Sequence, residues 1–347
     1  MGADRRIPVV ILGATGAVGQ RFVQLLDGHP WFRVTGLAAS ERSAGQAYGK
    51  AARWFLPEPI PEWARGMEVV PCRPGIDARL AFSGLDASVA GGIEEEFARA
   101  GCAVVSNSRN HRMDPEVPLL IPEVNAEHLD LVETQKRRWR GGGFIVTNPN
   151  CSTIGLALSV APLHRAFGIK RLVVATLQAI SGAGYPGVAS LDILDNIIPY
   201  IGSEEEKMES ETLKILGTQK GPAAFGVSAH CHRVHVSDGH TLAVSVETEQ
   251  RTTAEEATRV LGEFRSTLAS LGLPSLPERP IEVRDEPDRP QPKHDRMAGK
   301  GMTISVGRVR PCPVLGLKYV ALVHNTIRGG AGAAILNAEL LKAKGLL

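Results

Sequence analysis

Cys151 stands in the run Asn148-Pro149-Asn150-Cys151-Ser152-Thr153, between a strand-like Phe144–Thr147 and an apolar helical stretch, Ile154–Ala161. A thiol at the start of a helix feels the partial positive charge of unpaired backbone N–H groups, which favours the thiolate. A thiolate is the nucleophile that forms covalent acyl intermediates. Such a nucleophile needs a partner imidazole, and His230, His232, His235 and His240 crowd one short stretch. Asp238-Gly239 is a turn signal, so His240 opens the strand that follows, at a rim where a site can form. A histidine there is as easily structural, so His240 needs support from outside this pattern. Side chains alternate along a strand, which points His232 away from Cys231 and His235, and no metal site is expected. Cys72, Cys102, Cys231 and Cys312 lie in strand-like or Pro-flanked contexts and read as small packing residues.

A second constellation is Gly13-x-x-Gly16-x-x-Gly19, between the apolar Val9–Leu12 and the helix-like Gln20–Leu26. Glycines there let backbone approach a pyrophosphate at a helix N-terminus, and GxxGxxG is a variant of the usual dinucleotide spacing. A tight structural turn is the alternative. At the end of the next strand, an NAD site has an acidic residue for the ribose hydroxyls. Here Ser40, Arg42 and Ser43 suit a 2′-phosphate, so NADP(H) is expected. Glu41 is the residue that argues the other way, and Arg42 read alone is also an ordinary surface charge.

The elements that must position these groups fit a chain of 347 residues, about two domains. Lys plus Arg is 39 and Asp plus Glu 37, so the net charge of +2 argues against a nucleic-acid-binding surface. Hydrophobic content of 43% and charged content of 22% fit a globular enzyme and not a disordered chain. Five cysteines without a CxxC pair give neither a disulfide framework nor a zinc ribbon. Met1–Pro8 has no leader-like apolar run, and no stretch of about 18 apolar residues occurs, so a cytoplasmic protein away from membranes is expected.

Strand-like Phe32–Ala39, Leu80–Ser83, Ala103–Ser106 and Phe144–Thr147 alternate with helices at Glu94–Ala100 and Glu127–Arg138, which implies a parallel sheet. Beyond Cys151 come strands at Lys170–Gln178, Thr241–Glu249, Met302–Val306 and Leu317–Val323. Helices are expected near Asp192–Tyr200, after the Thr253-x-x-Glu256 capping box, and at Gly332–Lys344. Arg284–Gly301 reads as a long loop. The expected organisation is a nucleotide-binding domain over 1–150, completed by a C-terminal helix within 326–347, and a catalytic domain over 151–325.

Together these residues resemble the aspartate-β-semialdehyde dehydrogenases of the archaeal and fungal branch. The likeness spans nearly the whole chain. It is carried by Gly13–Gly19, Ser106–Met113, Val117–Asn125, Asn148–Thr153, Gln178–Tyr185, Ser203–Lys207, Arg233 with Asp238-Gly239-His240-Thr241, and Asn325–Gly330. The resemblance implies an α/β architecture: a Rossmann-like dinucleotide-binding domain plus an α+β catalytic and dimerisation domain with an open mixed sheet. It implies NADPH-dependent reductive dephosphorylation of L-4-aspartyl phosphate to the semialdehyde, a step toward lysine, threonine, methionine and isoleucine. It also implies self-association as a dimer or tetramer.

In that pattern Cys151 attacks the acyl phosphate, His240 is the general acid/base, and Gln178 positions the thioester. Arg233 takes the substrate carboxylate, Glu204 its ammonium, and Lys207, Arg112 and Asn107 its phosphate. Cofactor contacts fall to Gly13, Thr15, Gly16, Ala17, Val18, Ser40, Arg42, Ser43, Ser83, Ser181, Gly182 and Asn325. Residue chemistry agrees, since a guanidinium fork suits carboxylate or phosphate. Glu204 and Lys207, three apart, share a helix face, where a capped helix end with a solvated ion pair is the plain alternative. The helix start after Cys151 is expected to supply oxyanion donors. Asn150 is either a helix cap or an oxyanion contact.

His232 and His235 depart from the branch, which has Asn and Pro there. The nearest rival is a malonyl-CoA (acyl-CoA) reductase of the same superfamily, which tends to lose the Asn-Pro-Asn and the Glu-x-x-Lys kept here. N-acetylglutamyl-phosphate reductase is more distant. A nicotinamide-sensing regulator would have no need of Cys151, His240, Gln178 and Arg233 together.

Overall fold

Six short apolar runs, β1 (Ile7–Leu12), β2 (Phe32–Ala39), β3 (Val69–Pro71), β4 (Leu80–Ser83), β5 (Ala103–Ser106) and β6 (Phe144–Thr147), pair in parallel. β4, β5 and β6 are buried at every position, as strands covered on both faces must be. Their order is β3-β2-β1-β4-β5-β6, the doubly wound arrangement of dinucleotide-binding sheets. The winding reverses between β1 and β4, where such sheets open a crevice beyond the strands' carboxyl ends. The glycine loop leaves β1 there, and Ser83 ends β4 beside it. Gly13 has a φ of 74°, and a Cβ on Gly19 would collide with the Gly13 carbonyl oxygen, so the loop lies flat against the helix Ala17–Leu25.

The computed structural model describes residues 5–139 and 141–347; the first four residues, part of the segment read above for a leader, and Arg140 lie outside them. One unit takes the chain up to Leu120, Glu127–Asn148 and Gly330–Leu347, and the other takes Ile121–Ala126 and Pro149–Gly329. Ile121–Ala126 goes with the second unit because the buried Glu123 carboxylate holds the Arg328 guanidinium through two bonds of 2.8 and 2.9 Å. In the first unit, Asp86 caps a helix over Ala87–Arg99, seven residues earlier than its apolar pattern marks. The Glu127–Arg138 region is a 3-10 segment, Ala126–Leu131, followed by an α-helix, Val132–Arg138. The terminal helix Gly332–Ala343 is buried almost throughout, and its Glu339 meets His29 Nε2 at 2.9 Å within the same unit.

The second unit carries a mixed sheet in the order β10-β11-β12-β9-β7-β8. Its strands are β7 (Ile169–Gln178), β8 (Gly226–Arg233), β9 (His240–Thr248), β10 (Ile281–Arg284), β11 (Ile304–Cys312) and β12 (Gly316–Val323). The helix Cys151–Phe167 is apolar on all sides and buried over Ser152–Leu163, as a central helix must be. The capping box forms: Thr253 and Glu256 exchange side-chain-to-backbone bonds at 3.2 and 2.9 Å. The expected helix near Asp192–Tyr200 does not form. Only Ser190–Ile193 is helical, Asp195 takes a φ of 55°, and Leu194, Ile197 and Tyr200 stay exposed. Arg284–Gly301 is mainly irregular, with a short turn of helix at Pro292–Asp295, and Arg289 Nε anchors it on the buried Asp295 at 2.7 Å.

Candidate active site

Strand direction alone gathers three of the expected groups. β7 and β8 run parallel with Gln178 opposite Arg233 at their carboxyl ends. β9 runs against β7 and starts at His240. All three therefore sit on one rim of the mixed sheet, and all are nearly or fully buried. The Cys151 helix begins at the same rim, with Sγ 3.2 Å from His240 Nε2. Despite His232 and His235, the chain beyond β8 stays bonded: Ile180 N donates to Val236 O at 2.8 Å.

Asn150 is the cap of the Cys151 helix. Its Oδ1 accepts from Ser152 N at 2.9 Å and Thr153 N at 3.2 Å. Two of the first-turn amides expected to serve an oxyanion are thus engaged by the cap. The other end of Asn150 reaches a second helix, Glu204–Leu216: Nδ2 donates to Glu204 Oε1 at 2.8 Å and the backbone N to Glu211 Oε2 at 2.6 Å.

His240 is fully enclosed. The Ala179 N–H donates to its Nδ1 at 3.0 Å. Burial, reinforced by the charges of Arg233 and His324, pushes this imidazole well below its usual range. Arg233 donates from Nη1 to Ala179 O at 2.7 Å. Burial lowers its affinity for a proton, while Cys151, Glu204 and Cys231 pull the other way. The Ser181-Gly182 turn closes over both: a Cβ on Gly182 would lie 2.8 Å from Arg233 Nη1 and 3.2 Å from His240 Nε2. Asn325 fixes that turn, donating to Ser181 Oγ at 2.8 Å and accepting from Gly239 N at 2.9 Å. Gln178 Nε2 rests on Thr176 Oγ1 at 3.2 Å.

Glu204 is nearly buried, and Lys207 Nζ lies 3.3 Å from its Oε2. The plain alternative of a capped helix end is absent: Ser203 has a φ of 58° and its side chain makes no cap. The pair is a poorly solvated one, with side chains 22% and 8% exposed, facing Asn150 rather than bulk water.

The remaining expected residues belong to the first unit. Thr15, Gly16, Ala17 and Val18 form the turn into the first helix, whose Gly16 cap offers no side chain, so backbone N–H groups are what the turn presents to an anion. Ser40, Arg42 and Ser43 lie on the loop beyond β2, where Glu41 Oε1 is taken by Arg73 Nη2 at 2.8 Å. Asn107 donates to Ser83 O at 3.2 Å and accepts from Asn148 Nδ2 at 2.9 Å, while Arg112 Nη2 donates to Asn107 O at 2.7 Å. The cradle fits a dinucleotide, with a flat glycine turn at a switch point and a cationic loop next to it.

Three supporting residues escaped sequence reading. Glu211 carries no motif signal, Ala179 lies in the Gln178–Tyr185 run but acts through its backbone alone, and Glu94, fully buried, lies in a stretch read only as helix. Among the thiols, burial pushes Cys102 up to about 12 and Cys231 up to about 11, as inert packing cysteines behave. Cys312 differs: burial pushes it up, but the Leu315 and Val314 amides, Ser245 and Lys318 together outweigh that and lower it.

Residues 8–132 match the family model for the semialdehyde dehydrogenase NAD binding domain, and residues 160–328 match that for the semialdehyde dehydrogenase dimerisation domain. The chain is 53% identical over 343 residues to the aspartate-semialdehyde dehydrogenase of Methanothermobacter thermautotrophicus, covering 96% of this chain and 99% of that one. It is 47% identical over 357 residues to the Saccharomyces cerevisiae enzyme, covering 97% and 98%. The crystal structure of the Candida albicans enzyme with NADP superposes with a TM-score of 0.91 at 45% identity, over 99% of this chain and 100% of that one. A Vibrio cholerae aspartate semialdehyde dehydrogenase II complexed with ASA gives 0.77 at 28% identity, over 97% and 98%. With both halves matched and near-complete coverage of archaeal and fungal relatives, the chain belongs to the aspartate-semialdehyde dehydrogenase family of enzymes.

Proposed function

We propose that this chain catalyses the NADPH-dependent reductive dephosphorylation of L-4-aspartyl phosphate to L-aspartate 4-semialdehyde and phosphate. The observation that carries the reading is the Cys151–His240 contact of 3.2 Å on a rim shared with Arg233 and Gln178. The Cys151 sulfur attacks the acyl carbon, a C–S bond forms, and the bond to the phosphate oxygen breaks. NADPH, when bound, supplies the hydride that reduces the resulting thioester. Arg233 offers its guanidinium to the substrate carboxylate, and Glu204 offers the buried anion an α-ammonium needs. Gln178 holds its amide beside the thioester. Lys207, Arg112 and Asn107 are the residues assigned to phosphate.

The glycine turn, with Gly13, Thr15, Gly16, Ala17, Val18 and Ser83, is assigned to NADP(H), and Ser40, Arg42 and Ser43 to its 2′-phosphate. Ser181, Gly182 and Asn325 form the turn assigned to the nicotinamide. Residues 1–150 with the C-terminal segment 326–347 are read as the nucleotide-binding domain, and 151–325 as the catalytic one. The curated relatives share the aspartate-semialdehyde name, so an acyl-CoA reductase is not favoured.

Self-association fits the matched dimerisation domain. One face of the mixed sheet leaves Val173 and Leu177 exposed, and Leu191, Leu194 and Tyr200 are exposed in the same unit. A dimer through that unit is the simplest form, and light scattering distinguishes it from a tetramer. No helix among the described residues is long and apolar enough to cross a membrane, and none of the five cysteines is joined in a disulfide among the described residues, which fits a reducing compartment such as the cytoplasm.

The test is a spectrophotometric assay of phosphate-dependent NADP reduction by aspartate semialdehyde, run beside a malonyl thioester and NAD. Cys151→Ser abolishes turnover and leaves NADP binding intact. A Cys151→Ser protein with full activity, or a wild type that prefers the thioester, removes the assignment.

A further inference from the structure

The terminal helix is buried without a break from Gly332 to Leu341, and Asn337 and Glu339 are the two polar side chains in that run. Glu339 is answered by His29. Asn337 has no exposed surface, and a buried amide is costly unless it is bonded. Its partners lie at the carboxyl ends of two neighbouring strands. Ser106 of β5 pairs with Thr147 of β6, so the residues that follow, Asn107 and Asn148, leave the sheet side by side. Asn107 N donates to Ser83 O at 3.0 Å and Asn148 N to Ser106 O at 2.8 Å, which fixes both backbones. All three asparagines belong to the first unit.

Their amides form one chain. Asn337 Nδ2 donates to Asn148 Oδ1 at 2.5 Å, and Asn148 Nδ2 donates to Asn107 Oδ1 at 2.9 Å. The two ends of an amide have nearly the same shape, so the sense of each is set by what its neighbours can accept. A backbone carbonyl, which can only accept, stands beside each nitrogen. Leu120 O is 3.4 Å from Asn337 Nδ2, Gly330 O is 3.1 Å from Asn148 Nδ2, and Ser83 O is 3.2 Å from Asn107 Nδ2. Reversing any one amide sets its oxygen against a carbonyl oxygen. Three carbonyls and two inter-amide bonds therefore agree on a single direction, from the terminal helix to the end of β5, and bonds in such a chain strengthen one another. The chain ends on Asn107, which is only half-buried. Its nitrogen carries two hydrogens; Ser83 O takes one, and the other suits an anion.

We infer that Asn337 is a positioning residue for phosphate: acting through Asn148, it holds Asn107 with its N–H end, and not its oxygen, toward the anion. This rests on the assignment of Asn107 to phosphate made above. A reversed Asn107 would offer a lone pair where a donor is needed, so the chain decides whether that contact attracts or repels. Without Asn337 the Asn148 oxygen is a buried acceptor that has lost its donor, and the sense of the chain is no longer held at its far end.

The test is steady-state kinetics of phosphate-dependent NADP reduction by aspartate semialdehyde on the full-length protein, with thermal melts run with and without inorganic phosphate. Asn337→Leu keeps the size of the side chain and removes the donor. It is expected to raise KM for phosphate about tenfold, the size of one hydrogen bond to a charged group, with kcat and KM for NADP changed less than about twofold. Asn107→Ala is expected to raise the same KM, and adding Asn337→Leu to it to raise it no further, because the second residue acts only through the first. An unchanged KM for phosphate in Asn337→Leu overturns the proposal. So do equal changes in the phosphate and NADP constants, effects of the two substitutions that multiply, or a lowered melting temperature with normal kinetics, which is what a residue that only ties the helix to the sheet would give. Asn337→Ser, whose shorter hydroxyl can turn to its own helix, replaces the leucine variant if that one does not fold, with the same pattern expected. If neither folds, Asn337 serves folding and the proposal falls. Phosphate-dependent stabilisation in the melts gives the same comparison without turnover, so an inactive wild type removes the reaction and not the relay. A raised phosphate constant in Asn107→Ala with none in Asn337→Leu removes the relay alone, and no change in either removes the assignment of Asn107 and the relay with it.

Discussion

The side chain of Asn150 joins the nucleophile's helix to Glu204: its oxygen caps the Cys151 helix while its nitrogen donates to Glu204 Oε1 at 2.8 Å. One residue thus sets both where the Cys151 helix starts and how the Glu204 carboxylate, proposed above to face the substrate, points. Asn150→Ala removes both functions and is expected to cost about 1 kcal/mol of stability for the cap and to raise KM for aspartate semialdehyde. Asn150→Ser restores the cap but not the reach to Glu204. Thermal melts should therefore recover in Asn150→Ser while KM stays high. Recovery of both would mean Glu204 is oriented by something else.

Gly182 lies where a methyl group would press on the Arg233 guanidinium at 2.8 Å and the His240 ring at 3.2 Å. Arg233 cannot retreat without breaking its 2.7 Å bond to the Ala179 carbonyl. Gly182→Ala is expected to lower kcat/KM by up to about 100-fold, the size of effect seen when catalytic groups shift by an ångström. Steady-state kinetics and substrate-analogue binding check it. Unchanged kinetics would show that the turn opens freely.

Much of this was legible in the chain. Cys151 could be placed at a helix start because a strand-like run, a turn and an apolar stretch surround it. The glycine loop was legible because its spacing is a backbone requirement. What escaped are relations made by the sheet. That Gln178, Arg233 and His240 meet on one rim depends on β7, β8 and β9 being neighbours, which no local signal encodes. The Asp192–Tyr200 stretch reads as helix, yet Leu194, Ile197 and Tyr200 are exposed in the single chain and only Ser190–Ile193 is helical. Asn150 was ambiguous because a cap and an oxyanion contact use the same residue type, and only the bond to Ser152 N separates them.

Arg42 follows β2 on an exposed loop, and the competing acid Glu41 is occupied by Arg73 at 2.8 Å. Arg42→Ala is expected to raise KM for NADP about tenfold while leaving that for NAD nearly unchanged, the loss of one charge-assisted contact. Arg73→Ala should move the same ratio much less, because both partners are more than two-thirds exposed, and surface pairs contribute about 0–1 kcal/mol. Kinetics with both cofactors decide this. A larger effect from Arg73 than from Arg42 would transfer the 2′-phosphate to Arg73.

Glu94 carries a carboxyl with no exposed surface, where Ser106 Oγ donates at 2.7 Å and His111 Nε2 lies 3.7 Å away. The Ser83 hydroxyl lies alongside without closing a bond. Burial raises this carboxyl above its ordinary range, and the serines, His111 and Arg112 offset only part of that. A carboxyl raised in the folded state takes up a proton more readily folded than unfolded. Its contribution to stability is therefore full below the unfolded carboxyl range, about pH 4.3, and is lost as pH rises through the folded value. Glu94→Gln keeps an acceptor for Ser106 and removes the charge. Its melting temperature is expected to match the wild type near pH 4 and to exceed it increasingly toward pH 8, about the range over which such melts are informative. The opposite trend, with the wild type gaining as pH rises, would mean that Arg112 and His111 hold the charged carboxylate more strongly than burial opposes it.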